Sequence, residues 1–258
     1  MSYLRYLTFK TCRVHHPDYQ IILHLFDAYS SDTCGWVREK QDFQSDMGQS
    51  YLYQLNDLGV EIRVIKGDAT MTPNFQSDIA KWSTLSKEGG IYLDTDQLIL
   101  KPFDDLLDCD MFFCSFHIPG YPPSINTYYC TVGVLASCPG HWIPTNVSAL
   151  IRQNLDRRSY QSIGPPFFRT FLTQNEERVK NDVTARNYPW VYFYPLPQPD
   201  THCERLFAGD DTVPEASYAL HWFGGYEPSH RFNASYTEEK AKTGQDGISK
   251  ILRKRGLV

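Results

Sequence analysis

A helix-patterned run, NFQSDIAKWSTLSKE at 74–88, passes into Gly89-Gly90 and then into IYLD, a short strand that ends on Asp94-Thr95-Asp96. Phe75, Ile79, Trp82 and Leu85 or Ser86 mark the core face of the helix, at the spacing that keeps apolar side chains on one stripe. The glycine pair can end a helix because glycine tolerates the left-handed backbone of a helix C-terminus. Side chains alternate along a strand, so Tyr92, Asp94 and Asp96 face one way if the extended geometry persists. A helix delivered to a strand that ends on acids is the βα alternation of an α/β sheet, whose ligands sit at the carboxyl ends of its strands.

The remaining chain fits that order. Residues 3–14 have helical spacing at Tyr3, Leu4 and Leu7, and YQIILHLF and VEIRVI (60–65) read as strands. MFFCSF and CTVGVLAS are two further strands, helices are expected near 143–157 and 165–174, WVYFY and YALHWF are late strands, and 237–254 is a final helix. Basic residues at the end of that helix, Lys250, Arg253, Lys254 and Arg255, suit its dipole. Strands alternating with helices predict one α/β domain over 1–258 with a mainly parallel mixed sheet flanked by helices. PGYPPS and YPLPQP read as rigid loops.

Composition narrows the class of function. A net charge of -5 gives no basic surplus for a nucleic-acid partner. The seven cysteines are odd in number and form no CxxC pair, which argues against a zinc site or an extracellular disulfide framework. No apolar run reaches membrane-spanning length, and the first residues lack the apolar core of a signal peptide. The expectation is a cytoplasmic protein without a transmembrane segment, and the sequons at Asn146 and Asn233 are read as accidental.

Two carboxylates one residue apart at a strand end can hold a hard divalent cation, Mn²⁺ or Mg²⁺. Such a cation acts as a Lewis acid on a leaving diphosphate. A lone Asp-x-Asp is a weak signal, and Asp108-Cys109-Asp110 repeats it, read here as loop and strand-start chemistry. A phosphotransferase would want the pair on the first strand, with Thr or Val two residues on where Leu98 stands.

The stretch SDIAKWSTLSKEGGIYLDTDQLILKPFDDLL as a whole resembles the DXD-motif sugar-transferase family. That family includes fungal α-1,6-mannosyltransferases, animal α-1,4-galactosyltransferases and bacterial polysaccharide-synthesis enzymes. More distantly the stretch resembles the catalytic domains of the large clostridial glucosylating toxins. The matching positions are Asp78, Lys81, Gly89, Gly90, Tyr92, Asp94, Asp96 and Lys101-Pro102. VHHPDYQIILHLFD, TVGVLASCPGHWI, SIGPPFFRTFL and YALHWFGGYEP resemble further family segments more loosely. The family usually has Arg where this chain has Lys81, so the planar two-oxygen fork is replaced by a point charge. Members usually begin with a strand upstream of the segment that SYLRYLTFKTC resembles, so the expected sheet lacks that first strand.

The resemblance implies a GT-A-like fold and a retaining, metal-dependent hexosyltransferase. The donor would be a UDP- or GDP-hexose and the acceptor a glycan or other hydroxyl, as in polysaccharide biosynthesis. Asp94 and Asp96 are the implied catalytic acids and, with His221, the implied metal ligands. Asp78, Lys81, Gly90 and Tyr92 are the implied donor-sugar residues. His230 and Arg231 are secondary candidates for phosphate contact, Asp210 and Asp211 are read as loop structure, Trp222 as core, and PGYPPSINTYY as a wall of the acceptor site. The alternative is an inactive relative that binds a sugar or nucleotide sugar without turnover.

Overall fold

The computed structural model of the chain describes residues 1–30, 50–117, 128–196 and 199–258. Helix α1 (Tyr3–His15) opens the chain, and Ser2 caps it by accepting a hydrogen bond from the Arg5 amide at 3.3 Å. Strands β1 (Ile21–Phe26) and β2 (Val60–Ile65) run parallel, with Ile21 opposite Val60 and Phe26 opposite Ile65. Helix α2 (Pro73–Lys87) starts on a proline, whose missing amide costs nothing in the first turn. It ends at Gly89 and Gly90, both with positive φ, 72° and 97°. A side chain at 89 would also meet the Ser137 carbonyl oxygen at 2.6 Å.

Strands β3 (Gly90–Leu93) and β4 (Gln97–Ile99) follow, then β5 (Met111–His117) and β6 (Tyr128–Ser137). Helices α3 (Trp142–Leu150), α4 (Pro165–Gln174) and α5 (Glu176–Asn181) lead to β7 (Ala185–Pro189) and α6 (Pro199–Ala208). Strand β8 (Ala219–His221) and helices α7 (Glu227–Ala234), α8 (Glu238–Thr243) and α9 (Gly247–Lys254) complete the chain.

Four strands form the order β3-β6-β5-β7, and β4 pairs separately with β8. Met111 and Phe113 of β5 join Trp82, Phe168 and Leu172 on one face, while Phe112 and Cys114 join Val134, Phe193 and Ile99 on the other. This is the period-two alternation of a sheet covered on both faces. Trp82, Phe168 and Phe112 are fully buried, each contributing about 1.5–3 kcal/mol of transfer free energy.

The fold is α/β with mixed pairing, and three expectations change in detail. In place of a mainly parallel sheet, among the described strands β3·β6, β5·β6 and β4·β8 pair antiparallel, and β1·β2 and β5·β7 pair parallel. The late strand expected at WVYFY lies earlier, at Ala185–Pro189, and Trp190–Tyr192 forms a 3-10 turn. Phe193 and Tyr194 bury in the core as packing groups rather than ladder partners. The helix expected over 237–254 is two helices, because Gly244 is extended and Thr237 and Asp246 each cap a separate start. The PGYPPSINTYY loop falls mostly outside the described residues. Among the described residues β1·β2 and β3-β6-β5-β7 are separate sheets, and β1 and β3 both border a cavity of about 1700 Å³. No helix among them is long and apolar enough to cross a membrane.

Candidate cation and donor site

Asp94-Thr95-Asp96 is the crossing between two sheets. The Asp94 amide donates to the Gly133 carbonyl at 2.8 Å, which prolongs the β3·β6 ladder by one residue. The Asp96 carbonyl accepts from the Trp222 amide at 3.1 Å, which begins the β4·β8 pairing. The register of that second pair sets Gln97 opposite His221. One ligand atom from each of Asp94, Asp96 and His221 therefore falls within 4.8 Å of the others, on the wall of the cavity.

Each of the three is held. His221 Nε2 lies 3.0 Å from Asp96 Oδ1, and Asp96 Oδ2 accepts from the Gly224 amide at 2.7 Å. Asp94 Oδ1 accepts from the Tyr92 hydroxyl at 2.7 Å, which also meets Ser77 Oγ at 3.1 Å. Gly133 faces Asp94 so closely that a Cβ there would stand 2.4 Å from Oδ2. The Gly133 amide donates to the Tyr194 hydroxyl at 3.1 Å. Burial pushes the Asp96 carboxyl up, but His221, Arg5 and the Gly224 amide outweigh it and hold the group below the usual carboxylate range. Burial pulls His221 down, and the Asp96 charge and hydrogen bond outweigh that and raise it. Two carboxylates and an imidazole are a donor set that suits a divalent cation.

The residues expected to meet the donor sugar lie in the same cavity. Asp78 accepts from Lys81 Nζ at 2.9 Å, and burial raises its carboxyl despite the lysine beside it. Lys81 is 4% exposed. Its ammonium also donates to the Val132 carbonyl at 2.9 Å and sits 4.6 Å from the Tyr92 ring centre. Lys81 thus braces Asp78 and Tyr92 from behind, and Asp78 is the member of that pair beside Gly164 at the α4 start. Gly90 contributes backbone shape, since a Cβ there would meet nothing within 4 Å.

His230 and Arg231 do not border the cavity. Asp210 accepts from the Thr212 amide at 3.0 Å, and Asp211 pairs with Lys254. In the second acidic pair, Asp108 accepts from Tyr188, and Asp110 leads into β5. Sequence reading missed Gly133, Tyr194, Gly224 and Arg5. A glycine inside the apolar run CTVGVLAS was a visible signal of close approach. The other three carried none, because their partners lie far along the chain.

Residues 5–113 match the family described as the glycosyltransferase sugar-binding region containing the DXD motif. An uncharacterized glycosyltransferase, L373, of Acanthamoeba polyphaga mimivirus is 31% identical over 120 residues, which is 45% of this chain and 46% of that protein. The chain therefore spans about half the length of that relative. Among solved structures, the galactosyltransferase LgtC in complex with donor and acceptor sugar analogs is similar with a TM-score of 0.44 and 18% identity, over 98% of this chain and 92% of that one. The matched stretch, residues 5–113, includes Asp78, Lys81 and Asp94-Thr95-Asp96, so the similarity to the DXD-containing glycosyltransferase sugar-binding region extends over the segment that builds this site.

Proposed function

We propose that the protein, as one domain over 1–258, transfers a hexose from a UDP- or GDP-sugar to a glycan or other hydroxyl acceptor, with retention and with Mn²⁺ or Mg²⁺. The observation that carries the reading is the convergence of Asp94, Asp96 and His221 within 4.8 Å at the wall of the cavity that also holds Asp78. When bound, the cation neutralises charge that develops on the departing diphosphate. Asp94, Asp96 and His221 would hold it. Tyr92 keeps Asp94 turned inward through its hydroxyl. Asp78 accepts hydrogen bonds from hydroxyls of the donor sugar, and Lys81 keeps that carboxylate in place.

The deciding experiment is turnover of a panel of UDP- and GDP-sugars with and without Mn²⁺. Cation-dependent hydrolysis or transfer is expected in the parent chain. The Asp96→Ala variant should lose it by about 10²-fold or more while keeping the parent's folded circular-dichroism spectrum. Undiminished turnover in that variant would sink the metal role. A second reading, binding without turnover, draws on Lys81, whose ammonium is committed to Asp78 and Val132. Calorimetric binding of a nucleotide sugar without product would favour it.

A further inference from the structure

Gln97 is wholly buried, and neither its Oε1 nor its Nε2 meets a partner among the described residues. His221 Nδ1 is buried and without a partner in the same way. Buried polar atoms are nearly always hydrogen-bonded, and one that is not weighs against the fold. Here an unmet acceptor and an unmet ring nitrogen belong to two residues that face each other.

The register of β4·β8 sets Gln97 opposite His221. The Trp222 amide donates to the Asp96 carbonyl, so the ladder bond passes beside the 97/221 pair rather than within it. Pairs of that kind bring their Cα atoms to about 4.5 Å and their side chains closest together. The two side chains also share a face. Leu98, Leu220 and Trp222 lie in one core, and Ile99 and Ala219 in the other. Alternation along each strand therefore turns Gln97 and His221 to the side of Ile99 and Ala219. His221 borders the cavity and Gln97 does not, so the amide can act on a ligand there only through a neighbour.

The chemistry of imidazole says what that action is. Nε2 is the ring atom beside Asp96, at 3.0 Å from Oδ1. A neutral imidazole carries a single N–H. When Nε2 gives its lone pair to a cation, that N–H is on Nδ1 and needs an acceptor, and metal-bound histidines are oriented by such a bond. We infer that Gln97 is a positioning residue whose Oε1 accepts the Nδ1–H of His221 when Nε2 ligates the cation. The bond fixes the tautomer and the ring angle that aim Nε2 at the site of Asp94 and Asp96. The inference rests on the cation-site reading above.

Calorimetry of the full chain with Mn²⁺ tests it, beside the melting temperature without cation. Gln97→Met keeps the length of the side chain and removes both polar atoms. It should weaken Mn²⁺ binding by about 10- to 100-fold and melt no lower than the parent, because atoms without partners add no hydrogen bond to the fold. Gln97→Glu keeps an acceptor and should bind Mn²⁺ at least as tightly as the parent. In a His221→Ala background, Gln97→Met should leave the remaining Mn²⁺ affinity unmoved, since the amide acts through the imidazole. Parent-like Mn²⁺ binding by Gln97→Met overturns the inference. So does a Mn²⁺ affinity that falls together with the melting temperature, an equal loss in the His221→Ala background, or a Gln97→Glu chain as weak as Gln97→Met. If Gln97→Met does not fold, Gln97→Leu takes its place under the same expectations. Asp96→Asn reports separately on the cation reading, which fails if that variant binds Mn²⁺ as the parent does.

Discussion

Asp94 keeps its place because residue 133 has no side chain. Any Cβ there would stand 2.4 Å from Asp94 Oδ2 and 2.8 Å from the Tyr194 hydroxyl. Gly133→Ala should therefore displace the Asp94 carboxylate, with Mn²⁺ affinity and turnover falling by about 10²-fold, since an ångström of misplacement has that order of effect. Calorimetry and a rate assay check it, and a parent-like variant would show that the strand relaxes instead. A second residue-scale prediction concerns Asp182, which accepts from Trp142 Nε1 at 2.6 Å and from the Thr184 amide and hydroxyl at 2.9 and 2.6 Å. Burial pushes its carboxyl up, yet the Thr184 and Trp142 hydrogen bonds outweigh that and hold it at about 2, below its ordinary 3.8. A depressed carboxylate stabilises the fold above its unfolded value. Its contribution should persist above about pH 4 and fade as the pH drops toward 2. Asp182→Asn should cost about 1–3 kcal/mol at neutral pH and flatten that limb of the acid-denaturation curve.

At the scale of elements, the chain announces its helices and strands through local chemistry where one side chain or one turn decides. The body of α2, its stop at Gly89-Gly90 and the short β3 strand were all legible because apolar spacing and backbone preference are properties of a few consecutive residues. The run 237–254 was misread because its apolar period continues across Gly244, while the two N-caps at Thr237 and Asp246 mark separate starts. Asp246 accepts from the Ser249 amide at 2.8 Å. Asp246→Ala should cost about 1 kcal/mol through the lost cap, read as a lower melting temperature. Gly89→Ala should cost more, because it adds a backbone clash with Ser137 to a positive φ. Alternation told strands from helices, but it could not tell parallel from antiparallel pairing, since partners are chosen by residues far away.

For the whole molecule, the site is a seam between the β3·β6 and β4·β8 pairings, closed from a third side by α1. A ligand that bridges a seam should stiffen the fold by mass action. Mn²⁺ at a hundred times its dissociation constant should raise stability by about 2.7 kcal/mol, seen as a higher melting temperature. Asp96→Asn should lose the shift. A cation that raises the melting temperature of both chains equally would place its binding elsewhere.

Asp94 and Asp96, with Tyr92 and the glycine pair before them, belong to one local run, and the sequence alone determined that they sit together at a strand end. Alternation and turn chemistry act over a few residues, so they can be read without a partner. The sequence could only name His221 as a resemblance, and it held no sign of Arg5. Their approach was decided by tertiary structure. Gln97 pairs with His221 across 124 residues of chain, and the first turn of α1 packs on Thr95 from 90 residues away. Those contacts depend on which strand edges and helix faces bury one another, a choice made by the whole core rather than by any segment of it.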